Sequence, residues 1–235
     1  TTMQQVLNNS WNIGAANVAA RVGNDVFGDY MRRLFGEKTG IDLPNETSSL
    51  IANLTGGRDI EYATASFGQG IALSPIAVTT ALASLGNGGL LVTPHLVREI
   101  EYQSGFSTKM DFPEPRRIFK KETSEEISRM LTEVVDTALR GGRVAMPNYS
   151  IAAKTGTAQI ANKSARGYYD DRFLHSFFGY FPAFDPRFIV FLYIIELQTD
   201  AFASDTLTDS FMNITKYLIN YYEIPPDREA KKATQ

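Results

Sequence analysis

The sequence predicts an α+β fold in which an antiparallel sheet is flanked by helices and adjoins a helical subdomain. Helical spacing and capping residues dominate the first 87 residues. Two later apolar segments, residues 173–181 and 187–197, are joined by a turn containing Asp185-Pro186, and their spacing is typical of an antiparallel hairpin. One amphipathic helix before these strands and another after them complete a pattern that favours the α+β class.

Composition and charge narrow the possible functions. The chain has 235 residues, of which 43% are hydrophobic and 21% charged, so it can bury a real core as one large domain or two small ones. A net charge of −3, without a basic run among aromatic residues, argues against nucleic acid as a partner. The chain has no cysteine, which excludes disulfides and thiolate metal sites. The longest apolar run, residues 188–195, is too short to span a bilayer.

Helices are predicted from capping residues and apolar spacing. Ser74-Pro75 begins a helix that is apolar nearly all round as far as Leu85, so we expect that helix to be buried. Thr123 and Glu126 form a capping box before an amphipathic helix. The other predicted features are a helix from an Asn12 cap to Gly23, a helix from an Asp25 cap to Gly36, and a last helix with the apolar stripe Leu207, Phe211, Ile214, Leu218 and Tyr221.

Short connections and alternating apolar residues predict the sheet. We expect residues 151–160 to pair antiparallel with residues 173–181, which in turn pair with residues 187–197. A further strand is predicted from Leu90 to Tyr102. Loops are expected at residues 103–116 and 161–172.

The segment from Ala152 to Gln159 carries a cation, two hydroxyls and a glycine among small residues. If the segment is extended, Thr155 and Thr157 share one face, and Lys154 shares the other with Gly156. A glycine inside a strand usually marks the close approach of another backbone. An exposed edge here could take a peptide as an added strand, with its carboxylate against the threonine hydroxyls and the lysine. The alternative is an ordinary strand with a polar edge.

A second polar segment, Ser10-Trp11-Asn12, separates two helical patterns near the start of the chain. In an extended connection Ser10 and Asn12 would point the same way, since residues two apart share a face. The alternative is plain helix capping by Asn12.

These segments together resemble a known family. The segments are Ser10-Trp11-Asn12, then Phe67-Gly68-Gln69-Gly70 with Ser74-Pro75, then Lys154-Thr155-Gly156-Thr157-Ala158. They resemble, in kind and order, the motifs of the transpeptidase domain of class B penicillin-binding proteins, which cross-link the cell wall. The resemblance runs from about residue 5 to residue 227 and implies the fold shared with serine β-lactamases. It implies a mainly helical lobe at 1–90, a sheet-and-helix lobe at 91–224 and a tail at 225–235. Supporting segments are Gly40-Ile41-Asp42-Leu43-Pro44, Asn87-Gly88-Gly89, Pro94-His95-Leu96-Val97 and Ser176-Phe177-Phe178-Gly179-Tyr180.

The resemblance implies acyl transfer from the D-Ala-D-Ala end of a peptidoglycan stem peptide, with β-lactams bound as substrate mimics and no metal or organic cofactor. Ser10 would relay a proton toward the leaving amine, Asn12 would bind the substrate amide, and Lys154 would keep the local potential positive. The hydroxyls of Thr155 and Thr157, on either side of Gly156, would hold the terminal carboxylate. The Thr157 backbone N–H would be one donor of the oxyanion hole.

One motif of the family, Ser-x-x-Lys, is missing, because no serine in this sequence is followed by lysine three residues later. The resemblance places this nucleophile motif before Thr1, so the chain is expected to be the C-terminal part of a transpeptidase domain and inactive by itself. The resemblance also implies an extracytoplasmic location and an anchor outside this chain. It further implies contacts of the full-length protein with other cell-wall synthesis proteins.

The sequence departs from the family at two places and leaves two other function classes open. Ala153 stands where glycine is usual, and residues 200–209 lack the usual glycine pair and Ala-Pro step. His95 and His175 have no acidic partner at a telling spacing and are interpreted as structural. A β-lactam-sensing or β-lactamase-like domain shares the same motifs, and the missing nucleophile leaves open a non-catalytic interaction module.

Overall fold

The computed structural model describes residues 1–199 and 201–229, and the chain divides into two compact units. One unit joins residues 1–15 to the residues from 125 onward, and the other contains residues 16–124. This division differs from the boundary expected near residue 90. Residues after 90 stay with the helical unit because Leu90–Leu91 pairs with Arg116–Arg117. The predicted tail at 225–235 lies partly outside the described residues.

The helical unit holds most of the N-terminal helices. Its own small core consists of Ile51, Leu54, Tyr62 and Ala65. The elements are α2 (Asn12–Val22, which begins in the other unit), α3 (Asn24–Phe35), a 3-10 turn (Ala52–Leu54), α4 (Asp59–Ala65), α5 (Pro75–Gly86), β1 (Leu90–Leu91), β2 (Glu99–Glu101), β3 (Ser107–Lys109) and β4 (Arg116–Arg117).

Helix α5 confirms the predicted start but not the predicted burial. The Ser74 side chain accepts the Ala77 N–H at 3.2 Å, and Pro75 is the first helical residue. Only one face is fully buried, made of Ala77, Thr80, Ala81 and Ser84.

None of the helices among the described residues has the length and the apolar character needed to cross a bilayer.

The strand predicted from Leu90 to Tyr102 is wrong, because only β1 and β2 are extended there. Between them the Asp42 carboxylate accepts the backbone N–H groups of Leu96 and Val97, both at 2.8 Å. Backbone groups bound to a side chain cannot join a strand ladder, and Pro94 has no N–H to donate. These bonds also hold the pKa of Asp42 below its usual value. The loop expected at 103–116 contains β3, which pairs with β2.

The second unit is built on a three-stranded antiparallel sheet of β5 (Ala152–Ala161), β6 (Tyr168–Phe181) and β7 (Phe188–Gln198), in the order β5-β6-β7. Both predicted pairings are confirmed. The loop expected at 161–172 is shorter than predicted, because β6 already begins at Tyr168 and pairs with Ala161. The buried core of this unit is Val135, Leu139, Ile151, Ala153, Phe177, Phe181, Leu207, Phe211, Met212, Ile219 and Ile224.

Helices complete the second unit: α1 (Met3–Asn8), α6 (Lys121–Glu133, which begins in the helical unit), α7 (Ala203–Thr206) and α8 (Thr208–Tyr221). A π-helical turn (Val134–Ala138) and a 3-10 turn (Leu139–Gly142) continue α6. The predicted capping box is wrong, because α6 begins two residues before Thr123, whose N–H donates to Lys120 O. The predicted stripe of α8 is also shifted, since Tyr221 is 65% exposed while Met212 and Ile219 are buried.

We expect the two glycines in the sheet to differ in how well they tolerate a side chain. A Cβ at Gly179 would collide with the ring of Phe211 and lie 2.8 Å from the Cβ of Ala153, both in the packed core. A Cβ at Gly156 would meet only the hydroxyl end of Ser176, which can rotate away. Gly179→Ala should therefore lower the free energy of unfolding by about 1–3 kcal/mol, and Gly156→Ala by less than about 1 kcal/mol.

Urea unfolding followed by circular dichroism measures both values, with Gly156→Ala as the matched control. Equal losses for the two variants would contradict this account of the packing between β6 and α8.

Candidate active site

A cavity of about 400 Å³ lies within the sheet-containing unit and brings together residues from distant parts of the sequence. This volume is in the usual range for small-molecule sites. Its lining includes five of the six predicted site residues: Ser10, Asn12, Lys154, Thr155 and Thr157. The sixth, Gly156, lies between the two threonines on β5. Other lining residues are Asn8, Asn9, Val134, Ala138, Leu139, Arg140, Phe202 and Ser204.

Ser10 is held at the end of α1 by a Schellman turn. The N–H of Ser10 donates to Leu7 O at 3.2 Å, and the N–H of Trp11 donates to Val6 O at 3.1 Å. This turn gives Ser10 a left-handed backbone with φ of 52°, so the extended alternative for this connection is wrong. Glycine usually occupies this position, since a side chain there costs of order 1 kcal/mol or more. The serine hydroxyl thus reaches the cavity from a strained position.

Lys154 reaches Ser10 directly. The Lys154 Nζ donates to Ser10 Oγ at 2.8 Å and to the Thr155 carbonyl at 3.0 Å, although Ser10 and Lys154 are 144 residues apart in the sequence. Burial lowers the pKa of the Lys154 amine to about 8, because desolvation disfavours the charged form. Near neutral pH this amine is a cation that can lose its proton at modest cost.

Strand β5 is an edge of its sheet and carries the predicted residues Thr155, Gly156 and Thr157. Alternate N–H groups along an edge strand face away from the sheet and can bind a ligand. Thr157 is exposed, and its Oγ1 accepts the N–H of Ala203 at 3.0 Å. Gly156 was expected to allow a close backbone. Its near neighbour is instead the Ser176 side chain, whose Oγ donates to Gly156 O at 3.4 Å.

Asn12 lies beside Ser10 in the cavity lining. It is the first residue of α2 rather than its cap. It is exposed, and its side-chain amide has no hydrogen bond to any part of the chain that the structure describes. An amide with its donors and its acceptor available can bind a peptide group of a ligand.

Sequence reasoning missed Arg140 and the α7 segment. The Arg140 guanidinium donates to the carbonyls of Ser204 and Asp205 at 3.1 and 3.0 Å and to Asp209 Oδ1 at 2.6 Å, so it holds the middle of α7 and the start of α8 beside the cavity. Arg140 also has a left-handed backbone, with φ of 48°. The only local signal was the pair of glycines after it, which indicated no more than the end of a helix.

The site therefore combines a cation of lowered pKa, a hydroxyl bound to it, and further hydroxyl and amide donors at a strand edge. Such a set can bind a peptide that ends in a carboxylate and can move a proton between serine and lysine.

Comparison with known proteins shows which family this chain matches. Residues 1–215 match the family described as the penicillin binding protein transpeptidase domain. The chain is 28% identical to penicillin-binding protein PbpB of Mycolicibacterium smegmatis, over 95% of this chain and 36% of that protein. It is 32% identical to stage V sporulation protein D of Bacillus subtilis, over 81% of this chain and 30% of that protein. The chain thus spans about a third of the length of these curated relatives.

A solved structure shows the same fold. The crystal structure of penicillin binding protein 3 from Mycobacterium tuberculosis, complexed with ampicillin, superposes with a TM-score of 0.87 at 24% identity, over 99% of this chain and 53% of that chain. Because the family match extends over most of the described residues, this chain belongs to the penicillin-binding protein transpeptidase domain family.

Proposed function

We propose that this chain supplies the proton-relay and carboxylate-binding part of a peptidoglycan D,D-transpeptidase site. The observation that carries the proposal is the 2.8 Å hydrogen bond from Lys154 Nζ to Ser10 Oγ, inside a cavity that Thr155 and Thr157 also line. Membership of the transpeptidase family supports this choice of reaction. The reaction is acyl transfer: a nucleophile attacks the D-Ala-D-Ala bond of a stem peptide, D-alanine leaves, and a neighbouring amine takes the acyl group.

Ser10 and Lys154 form the relay in this proposal. The Ser10 hydroxyl passes a proton to the leaving amine, and a protonated Lys154 lowers the cost of the negative charge that develops on Ser10. A lysine with a pKa of about 8 suits this task, since its proton is labile near neutral pH. Asn12 has its amide available and binds the peptide group of the substrate.

Residues of β5 hold the substrate's terminus. The stem peptide or a β-lactam lies along this edge strand, and its carboxylate accepts hydrogen bonds from the hydroxyls of Thr155 and Thr157. Gly156 between them keeps the strand free of a side chain that would meet Ser176. The backbone N–H of Thr157 serves as one donor to the tetrahedral oxyanion.

The attacking serine lies outside this chain in our proposal. No serine here is followed by lysine three residues later, and the chain spans about a third of its curated relatives. A Ser-x-x-Lys segment elsewhere in the full-length protein supplies both the nucleophile and the second oxyanion N–H. The full-length protein then acts on peptidoglycan stem peptides outside the cytoplasm, held by an anchor that is likewise outside this chain, beside other proteins of cell-wall synthesis.

Labelling by a fluorescent penicillin tests where the nucleophile lies. The 235-residue chain alone should form no covalent adduct, because removal of a catalytic nucleophile costs several orders of magnitude in rate. Joining the upstream segment with its Ser-x-x-Lys motif should restore a stoichiometric adduct, detected by intact mass.

Two controls make this experiment decisive. Alanine in place of the serine of the upstream motif should abolish the adduct of the joined protein. A stoichiometric adduct on the 235-residue chain alone would refute the placement of the nucleophile, and rapid loss of the adduct would favour a β-lactamase over a transpeptidase.

A further prediction concerns the charge of Lys154. Its pKa is lowered to about 8, so the protonated form dominates below pH 8 and is lost as the pH rises through 8. Arginine stays charged throughout this range, so the acylation rate of the wild-type joined protein relative to Lys154→Arg should fall about tenfold between pH 7 and 9. Stopped-flow acylation by a chromogenic β-lactam measures the ratio.

Lys163→Arg is the matched control, because the Lys163 side chain is 77% exposed and its substitution should leave the pH profile unchanged. A wild-type rate that climbs through pH 8 relative to Lys154→Arg would instead identify neutral Lys154 as a general base.

A further inference from the structure

The short helix α7 is attached at both of its ends to the strands beneath it. At its start, the N–H of Ala203 donates to Thr157 Oγ1 at 3.0 Å. At its end, a hydrogen bond of 2.8 Å joins Thr206 Oγ1 to His175 Nδ1. The Arg140 guanidinium holds the middle through two carbonyls. His175, Arg140 and Thr157 therefore each bind a different part of α7.

The two attachment points on the sheet are direct neighbours. Thr157 on β5 pairs with His175 on β6, so their side chains lie on the same face of the sheet. A helix of four residues thus spans the pair, with one end on each strand.

Packing alone does not account for a histidine at this place. His175 is fully buried, and its Nε2 has no hydrogen-bond partner among the residues that the structure describes. Burial lowers the pKa of the imidazole, so the ring is neutral at physiological pH. A leucine would fill a similar space without leaving a polar atom unpaired, which costs stability. What leucine cannot supply is the hydrogen bond to Thr206.

The hydrogen bond between His175 and Thr206 matters for the hydroxyl of Thr157. A hydroxyl has one hydrogen to donate and two lone pairs that accept. The N–H of Ala203 takes up one lone pair, so the hydrogen of the hydroxyl must point elsewhere, and Thr157 is an exposed residue. With Ala203 held still, that hydrogen is oriented before a ligand arrives, which reduces the cost of binding.

We propose that His175 is a positioning residue for carboxylate recognition. Through Thr206 it holds α7 so that the Ala203 N–H orients the Thr157 hydroxyl toward the carboxylate of a D-alanyl peptide or a β-lactam. The inference rests on the proposed function, because it needs a ligand carboxylate at Thr157.

The test compares acylation of the full-length protein, with its Ser-x-x-Lys segment, by benzylpenicillin and by its methyl ester. The ester lacks the charge that Thr157 binds, and a ratio of two rates in one sample does not depend on the fraction of folded protein. His175→Leu and Thr206→Val should each lower the acid-to-ester ratio roughly tenfold, the effect of a weakened hydrogen bond to a charged group. The rate with the ester should change little.

His175→Asn should restore most of the ratio, because its amide lies where Nδ1 lies in histidine. The double variant His175→Leu/Thr206→Val should lose no more than either single variant, since both remove the same bond. His95→Leu is the matched control, because His95 is exposed and stacks on Phe112 in the other unit.

An unchanged ratio in His175→Leu and Thr206→Val, in a protein that both probes acylate, would overturn the positioning role alone. Failure of both probes to acylate the wild-type full-length protein would overturn the proposed function and this inference with it.

Discussion

The pairing of β5 with β6 is the constraint on which the site depends. The register is continuous from Ala152 opposite Tyr180 to Gln159 opposite Phe173. Because side chains alternate along a strand, this register places Thr155 and Thr157 on one face of the sheet and Lys154 on the other. A slip by one residue would exchange the two faces and move the side chains of Lys154, Thr155 and Thr157 from their places in the cavity lining. Packing of the core against both strands therefore also fixes the chemistry of β5.

Burial links the stability of this unit to the pKa of Lys154. The same packing that covers Lys154 lowers the pKa of its amine to about 8. Keeping that amine protonated in the folded state costs stability below pH 8, because the unfolded chain would hold the proton more tightly. The left-handed backbone of Ser10 adds a second cost, and both fall on the two groups that share the 2.8 Å hydrogen bond. Concentration of strain and desolvation at one place is typical of functional sites.

The α7 segment shows how a site can be completed by backbone. Ala203 contributes only its N–H, and Arg140 acts mainly on the carbonyls of Ser204 and Asp205, so no side chain of α7 binds Thr157. Backbone groups of this kind leave no signature of residue types in the sequence. The surroundings of the cavity therefore include backbone groups and an arginine that the motif residues do not indicate.

The sequence by itself determined the α+β class, the order of the three long strands, the start of α5 at Ser74-Pro75 and five of the residues that line the cavity. These features follow from spacing, capping and short connections, which act between residues close in the chain. Only the tertiary structure decided the left-handed Ser10, the lowered pKa of Lys154, the contacts of His175 and the grouping of residues 1–15 with the sheet. The physical reason is range: burial and hydrogen bonds between residues far apart in sequence depend on how the whole unit packs, and no local pattern encodes them.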